Sequence, residues 1–192
     1  MSRPSKRSDI LREGIPILHR HGYSAASVES ITEAAGVPKG SFFNHFGSKE
    51  AFASEAIQAY FSVWEQISRP ILESDVTSKE KVRLLLEAAT GEIGVARSYD
   101  GCMIGNMSLE VSNQSEALRQ QLSTILERLA EPFETVIRQG QEDGHFVKDV
   151  PPEKLARFVV NFLQGVNLRS KVDRNDLALA EFREIVLAHL AR

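Results

Sequence analysis

The 192-residue sequence contains a single cysteine, and no apolar run in it approaches the roughly 18 residues that a membrane-spanning helix needs. One cysteine excludes an intramolecular disulfide framework, which fits a reducing compartment. The N-terminus carries basic residues, but no apolar stretch follows them, so a secretory signal is not expected. These features predict a soluble protein of the cytoplasm.

Enzyme signatures are also missing. The sequence has no glycine-rich loop that would cradle a phosphate, no nucleophile elbow and no paired helix carboxylates with a metal-binding partner. Its five histidines lack the spacing of a metal site; His19 and His21, for example, point to different sides of a helix. We therefore expect no catalytic residues, no metal and no cofactor.

Neither sign of charge is in large excess, because the formal net charge is −3. That value gives no global attraction to nucleic acid. Residues 1–50, however, carry seven Lys or Arg against five Asp or Glu, a balance of +2, which leaves −5 for the remainder of the chain. The positive charge is therefore mildly concentrated at the N-terminal end. The basic run SRPSKRS there can lie along a phosphate backbone or in the minor groove; the alternative is a tail that is only solvated.

The alternation of apolar and polar residues that marks β-strands is not sustained anywhere, and helical periodicity replaces it. The sequence predicts an all-α protein of about nine helices. They are expected at about residues 8–21, from Ser27, at 39–45, from residue 49 for about five turns, and at 76–96, 103–111, 115–140, 152–171 and 175–190.

The segment from residue 24 to residue 60 contains the helix-capping and helix-ending residues expected of two short helices joined by a tight turn and followed by a third helix. Ser27 can cap the first helix, and Gly36 can adopt the left-handed conformation that ends it. Pro38 suits the first position of the next helix, which Gly47 ends, and Ser48 can cap the third. This pattern is typical of a helix-turn-helix DNA-reading module.

The second short helix divides into an apolar and a polar face. Phe42 and Phe46 are four residues apart and should point inward. The residues left on the other faces, available to DNA, are Lys39, Ser41, Phe43, Asn44 and His45. Lys49 lies at the N-terminus of the following helix, where a phosphate is favoured.

The core of this segment, AAGVPKGSFFNHFGSKEA, resembles the N-terminal domain of the TetR/AcrR family, and the match extends over about residues 8–56. The resemblance implies a DNA-binding domain at residues 1–50 and a ligand-binding and dimerisation domain at residues 51–192. It further implies a homodimeric regulator, a repressor that leaves a palindromic double-stranded operator when it binds a small-molecule inducer.

The resemblance also implies candidate DNA-binding residues. They are Ser27, Lys39, Gly40, Ser41, Phe43, Asn44, His45 and Lys49. Lys39, Gly40 and Ser41 would approach base edges, Gly40 because a side chain there would hold the backbone away from the groove. Phe43 departs from the family, which usually has a tyrosine there, and it can pack on sugar or a thymine methyl instead.

The other candidates, Asn44, His45 and Lys49, would hold phosphates. Two of them have alternative interpretations: His45 as a partly buried histidine that closes the turn, and Asn44 as a solvated polar residue.

A second informative segment, YDGCMIGNMSLEVS at residues 99–112, places Cys102 at the start of a short helix, where amides favour the thiolate. It resembles the GC-x-x-GN pattern of electrophile-responsive, N-ethylmaleimide repressor-like members of the family, in which the matching cysteine senses reactive compounds. The alternative is inert packing, because Asp100 is adjacent and no Lys or Arg follows within a turn.

Ligand-lining residues are predicted from their positions on the helices after residue 50. They are Phe61, Trp64, Cys102, Met103, Asn106, Phe133, Ile137 and Phe162, any of which can instead be ordinary core. With Asn106 as the one obvious interior polar group, the expected effector is small and largely apolar or weakly electrophilic. A shift of the helix that begins at residue 49 would couple its binding to DNA release.

The last two predicted helices carry more apolar surface than one thin face requires, including Phe158 and Phe162. In the resembled family this pair meets its twin, and Gly165 would allow close approach. The alternative is a core within one chain. For the whole protein, the rival hypothesis is a helical enzyme or an adaptor that uses Cys102 as a reactive thiol without regulating DNA.

Overall fold

The computed structural model describes residues 6–91 and 99–190, and these residues form nine helices and no β-strand. The helices are α1 (Lys6–Ala25), α2 (Val28–Ala34), α3 (Lys39–Phe46), α4 (Lys49–Glu73), α5 (Ser78–Ala89), α6 (Met103–Val111), α7 (Glu116–Glu142), α8 (Pro152–Asp173) and α9 (Leu177–Leu190). The prediction of an all-α protein with about nine helices is confirmed. No helix among these residues is long and apolar enough to cross a membrane.

The C-terminal ends of α4 and α5 differ most from the prediction. α5 ends at Ala89 and does not continue toward residue 96, because the Thr90 hydroxyl bonds back to the Leu86 carbonyl and Gly91 has a φ of 76°. Residues 92–96 of the predicted helix lie outside the described residues. α4 runs past Pro70 to Glu73.

The chain separates into two compact units, one of Met1–Ser62 with Cys102–Ser123 and the other of Val63–Gly101 with Thr124–Arg192. We call them the N-unit and the C-unit. α6 thus belongs to the N-unit, where it packs against α1. The predicted domain boundary between residues 50 and 51 stays a prediction.

The core of the N-unit is aromatic. Phe42 and Phe46 of α3 meet Phe52 of α4, with ring centroids 5.1–5.3 Å apart. Phe42 and Phe52 are fully buried, and burial of such a side chain stabilises the fold by about 2–3 kcal/mol. This cluster fixes which face of α3 is left for solvent.

The core of the C-unit is built by α5, α7, α8 and α9. Its buried residues include Leu85 of α5, Phe133 of α7, Val160 of α8 and Phe182 of α9. Trp64 of α4 packs against the same cluster. The apolar stripes of four helices therefore meet in one continuous core, as expected for a helical bundle.

Candidate DNA-binding surface and the surroundings of Cys102

The α2–turn–α3 segment has the predicted local chemistry. The Ser27 hydroxyl accepts a hydrogen bond from the Ser30 N–H at 2.9 Å, so Ser27 caps α2 as predicted. Gly36 has a φ of 62°, the left-handed conformation that ends the helix. Pro38 is the N-cap of α3, one residue before the predicted position, and Gly47 closes α3 with a φ of 72°.

The two faces of α3 are also as predicted. Phe42 and Phe46 are buried, whereas Lys39, Asn44 and His45 are exposed. Phe43, at 46% exposure, also lies on the solvent side of α3. The exposure of His45 argues against the alternative that it closes the turn from a partly buried position.

Gly40 lies on this exposed face of α3. Its φ is not in the left-handed region, and an ideal Cβ built on it meets no atom within 4 Å. The fold of the chain therefore does not require glycine here, neither for conformation nor for space. The half-buried Ser41 follows it on the same helix.

Lys49 is half-buried at the start of α4. Its ammonium lies 4.6 Å from the centroid of the Tyr23 ring and donates a hydrogen bond of 3.4 Å to the Ser24 carbonyl. Burial lowers the pKa of Lys49, and the charge of Glu110 raises it in part. The Ser48 hydroxyl accepts from the Ala51 N–H at 3.0 Å, so the predicted cap of α4 is present.

Cys102 is the N-cap of α6, as predicted, and is half-buried. Tyr60 of α4 is its neighbour: burial raises the pKa of the Tyr60 phenol, Cys102 raises it further, and a hydrogen bond from the Met103 N–H lowers it in part. The phenol is therefore neutral near pH 7 and can donate a hydrogen bond beside the thiol. No pattern in the sequence indicates that Tyr60 lies near Cys102.

Two other predicted ligand residues in the N-unit, Phe61 and Met103, are buried. Asn106 is half-buried one turn after Cys102, whose carbonyl accepts its backbone N–H at 2.9 Å. These residues therefore lie within the N-unit core or at its edge. Their role as ligand contacts stays a prediction.

In the C-unit, Trp64 stacks on Phe133 with centroids 5.9 Å apart, and Ile137 is buried in the same core. Two of the predicted ligand residues are thus in direct contact. Within residues 6–91 and 99–190, the buried indole N–H of Trp64 finds no hydrogen-bond partner, and neither does the side-chain amide nitrogen of Gln164 on α8. Gln164 was not among the predicted residues, because a polar residue within an apolar helix pattern does not reveal whether it finds a partner.

Phe162 has different surroundings from the other predicted ligand residues. It is 46% exposed and stacks between Phe158 and Phe182, with centroid distances of 5.9 and 5.5 Å. Phe158 and Val172 continue this exposed side of α8, and an ideal Cβ on the exposed Gly165 between them meets nothing within 4 Å. The whole exposed apolar set on α8 and α9, which we call the α8–α9 stripe, is Phe158, Phe162, Leu168, Val172, Leu177 and Ile185.

Metal binding finds no support in the part of the chain that the structure describes, which contains no group of three or more His, Cys, Asp or Glu able to hold an ion.

Two family profiles match the chain. Bacterial regulatory proteins of the tetR family match residues 10–56, and the tetracyclin repressor-like C-terminal domain matches residues 78–186. The first match contains the whole α2–turn–α3 segment and the start of α4. The second contains α5 to α8 and most of α9.

Individual proteins agree with these profiles. The HTH-type transcriptional repressor DhaR of Mycobacterium sp. (strain GP1) is 36% identical over 99% of this chain and 94% of its own length. The reduced form of Escherichia coli NemR has the same fold, with a TM-score of 0.86, 22% identity and 97% of both chains covered. A cysteine mutant of the TetR family regulator CifR, solved with 26-bp double-strand operator DNA, has a TM-score of 0.81 and 26% identity over 98% of both chains. The chain therefore belongs to the TetR family of DNA-binding transcriptional regulators.

Proposed function

We propose that this protein is a homodimeric, cytoplasmic transcriptional repressor that binds a palindromic DNA operator and leaves it when a small effector binds. The observation that carries the proposal is the exposed face of α3. Lys39, Gly40 and Phe43 are exposed on this helix, whereas Phe42 and Phe46 are buried and hold it against the core of the N-unit. Two similar proteins support the proposal: DhaR is a transcriptional repressor, and CifR forms a complex with operator DNA.

The proposed DNA contacts divide by chemistry. Lys39, Gly40 and Ser41, in the first turn of α3, are suited to base edges, which specify sequence. Asn44, His45 and Lys49 are suited to phosphates, which supply affinity at any sequence. Ser27 and Phe43 complete the surface, Phe43 through apolar contact.

The test is a fluorescence anisotropy titration of the purified protein with DNA from upstream of its own gene, at two salt concentrations and beside shuffled DNA of the same composition. A repressor should bind its operator at least about 1,000-fold more tightly than shuffled DNA, and both affinities should fall as salt rises. If the titration shows no preference for the upstream DNA, and a selection over the whole genome yields no preferred sequence either, the regulator proposal is wrong and the adaptor hypothesis is favoured.

Dimerisation is part of the proposal, because one short recognition helix contacts too few base pairs, whereas two helices related by a two-fold axis read both halves of a palindrome. We propose that the α8–α9 stripe is the contact between two copies. The open position of Gly165 supports this, since a residue without a side chain lets the partner's helix approach closely. Under this proposal Phe162 faces the partner subunit and not the effector.

We propose that the effector is a compound with an apolar body and a hydrogen-bond acceptor. An unpaired buried donor costs about 1–3 kcal/mol, and both the Trp64 indole and the Gln164 amide carry such a donor. A ligand oxygen that accepts from either donor removes part of that cost, and the Trp64–Phe133 stack offers an apolar surface beside it. Coupling of about 1–3 kcal/mol to DNA binding suffices for a 5-fold to 150-fold change in affinity, and α4 contains Trp64 as well as Lys49.

The acceptor can be tested with two molecules of similar shape. Cyclohexanone should bind about tenfold more tightly than methylenecyclohexane, because only the ketone can accept a hydrogen bond from a buried donor. Trp64 is the only tryptophan, so its fluorescence reports binding next to it, and thermal shifts give affinities for the variants. Trp64→Phe keeps a ring for the stack but removes the indole N–H, and Gln164→Leu removes the amide donor. At least one of the two variants should show a smaller preference for the ketone. An unchanged preference in both variants, or no binding of either molecule to the wild type, would contradict the proposal.

A covalent effector is the alternative for which Cys102 provides a specific observation, since the thiol caps α6 and lies near the Tyr60 phenol. If Cys102 is the sensor, N-ethylmaleimide should release the wild-type protein from its operator with one adduct per chain and no turnover. Cys102→Ser should bind the operator as tightly as the wild type and stay bound in the presence of the reagent. Equal release of both proteins would eliminate the thiol mechanism, and repeated turnover of an electrophile would favour an enzyme.

A further inference from the structure

The helical geometry of α1 is interrupted at Gly22, which has a φ of 79° and a ψ of 175°. The backbone then starts a new helical turn, in which the Ala26 N–H donates to the Gly22 carbonyl at 3.2 Å. The first amides of a helical turn have no acceptor within the helix. Tyr23 and Ser24 therefore present N–H groups that require an acceptor from elsewhere.

Glu110, near the end of α6, supplies that acceptor. One carboxylate oxygen accepts from the Tyr23 N–H and the other from the Ser24 N–H, both at 2.6 Å. A Cβ at Gly22 would lie 2.5 Å from the first of these oxygens. The positive φ of Gly22 therefore favours glycine, and a larger residue there would displace the Glu110 carboxylate from the two amides.

Charge reinforces this contact. Burial raises the pKa of Glu110. Hydrogen bonds from the Ser24 hydroxyl and from the Ser24 and Tyr23 amides lower it, the charge of Lys49 lowers it further, and the net shift of the pKa is downward. Lys49 holds the same two residues from the other side, with its ammonium over the Tyr23 ring and bonded to the Ser24 carbonyl. We call Gly22, Tyr23, Ser24, Lys49 and Glu110 the Glu110 clasp.

The clasp lies directly before the DNA-reading helices. Residues 23 and 24 precede Ser27, the cap of α2, and Lys49 begins α4 immediately after α3. The clasp therefore links the segment before α2 to the first residue of α4, which follows α3. The link runs through the carboxylate of Glu110 on α6, a residue that is not among the proposed DNA contacts. Cys102 is the N-cap of α6 and Glu110 lies on the same helix, so a displacement of α6 moves Glu110 as well.

We propose that Glu110 is a positioning residue for operator binding, which holds the segment before α2 and the Lys49 ammonium in the arrangement that fits DNA. This inference rests on the proposed operator binding. It makes a prediction opposite in sign to simple electrostatics, because loss of an acidic residue normally strengthens binding to DNA through weaker repulsion of phosphates.

The experiment compares Glu110→Gln with Glu116→Gln, which removes the same charge from the N-unit at an exposed ion pair with Arg119 that does not touch the clasp. Glu110→Gln should weaken operator binding about tenfold, since one of two N–H groups loses its acceptor and Lys49 loses its counter-charge. Glu116→Gln should bind as the wild type or slightly more tightly. Glu110→Gln should also bind shuffled DNA more weakly, though by a smaller factor, because the proposed Lys49 contact is to a phosphate of any sequence, whereas Glu116→Gln should bind it as the wild type does.

Amide hydrogen exchange of the wild-type protein provides a readout that needs no substitution. The Tyr23 and Ser24 amides should exchange at least about tenfold more slowly than unprotected amides, and Glu110→Gln should remove the protection of one of the two, since the glutamine side chain keeps a single acceptor oxygen. A Glu110→Gln protein that keeps wild-type operator affinity, or a wild type whose two amides exchange freely, overturns the inference and leaves operator binding intact. A wild type that selects no operator overturns the proposed function itself.

Discussion

Substitution of Gly40 by alanine is expected to weaken operator binding about 100-fold without destabilising the protein. No atom of the residues that the structure describes lies within 4 Å of the added methyl group, and the φ of Gly40 is outside the left-handed region. Alanine in a helix is favoured over glycine by about 0.5–1 kcal/mol, so the free energy of unfolding should stay constant or rise. In the complex, however, the methyl group would hold α3 away from the base edges at both half-sites, and a misfit costs about 1–3 kcal/mol at each.

The combination of unimpaired stability and lost affinity separates a DNA contact from a folding defect. Thermal unfolding should give a Tm equal to or above that of the wild type, whereas anisotropy titrations should show the loss on operator DNA and little change on shuffled DNA. The ratio of the two affinities is therefore the informative quantity. If Gly40→Ala binds the operator as the wild type does, the first turn of α3 does not approach the bases, and the proposed orientation of the helix is wrong.

The local structure of this segment was predictable because its signals act over a few residues. Ser27 caps α2, Gly36 ends it, and Phe42 and Phe46 face inward, each as the sequence indicates. Pro38 is displaced by one residue because a proline suits the N-cap as well as the position after it. The predicted end of α5 is too late for a local reason as well. Gly91, which has a positive φ, is a helix-ending residue, but the apolar pattern of the sequence continues beyond it.

Contacts between residues far apart in sequence were not predictable. Glu110 and Tyr23 are separated by 87 residues, and no local pattern identifies a glutamate on α6 as the acceptor for amides of α1. The proximity of Tyr60 to Cys102 is of the same kind. Such pairs depend on how helices pack, which periodicity alone does not specify.

The ligand residues show an intermediate case. Helical spacing identified Trp64 and Phe133 as interior, and they do stack. The same reasoning placed Phe162 with them, but an apolar residue on a helix can face its own core or a second copy, and spacing is identical in both cases. The exposure of Phe162 distinguishes the two, and it favours the α8–α9 stripe.

Substitution of Phe158 by glutamate is expected to weaken the dimer by more than about 100-fold. Phe158 is 60% exposed in the single chain, so a glutamate there should fold normally, with loss of little more than the ring contact to Phe162. In a dimer formed through the stripe, the carboxylate would be buried against apolar side chains without a partner. That penalty amounts to several kcal/mol, and about 3 kcal/mol corresponds to a 100-fold rise in the dimer Kd.

Val76→Glu is the matched control, because it adds the same charge at an exposed apolar residue between α4 and α5, outside the stripe. Sedimentation equilibrium should find Val76→Glu dimeric and Phe158→Glu largely monomeric at the same concentration. Since two recognition helices read the palindrome together, the monomer should also lose its preference for the full operator over a single half-site, although its α2 and α3 are unchanged. A Phe158→Glu protein that remains a stable dimer would show that the stripe is not the contact between subunits, and the exposed aromatic rings of α8 would then need a different partner.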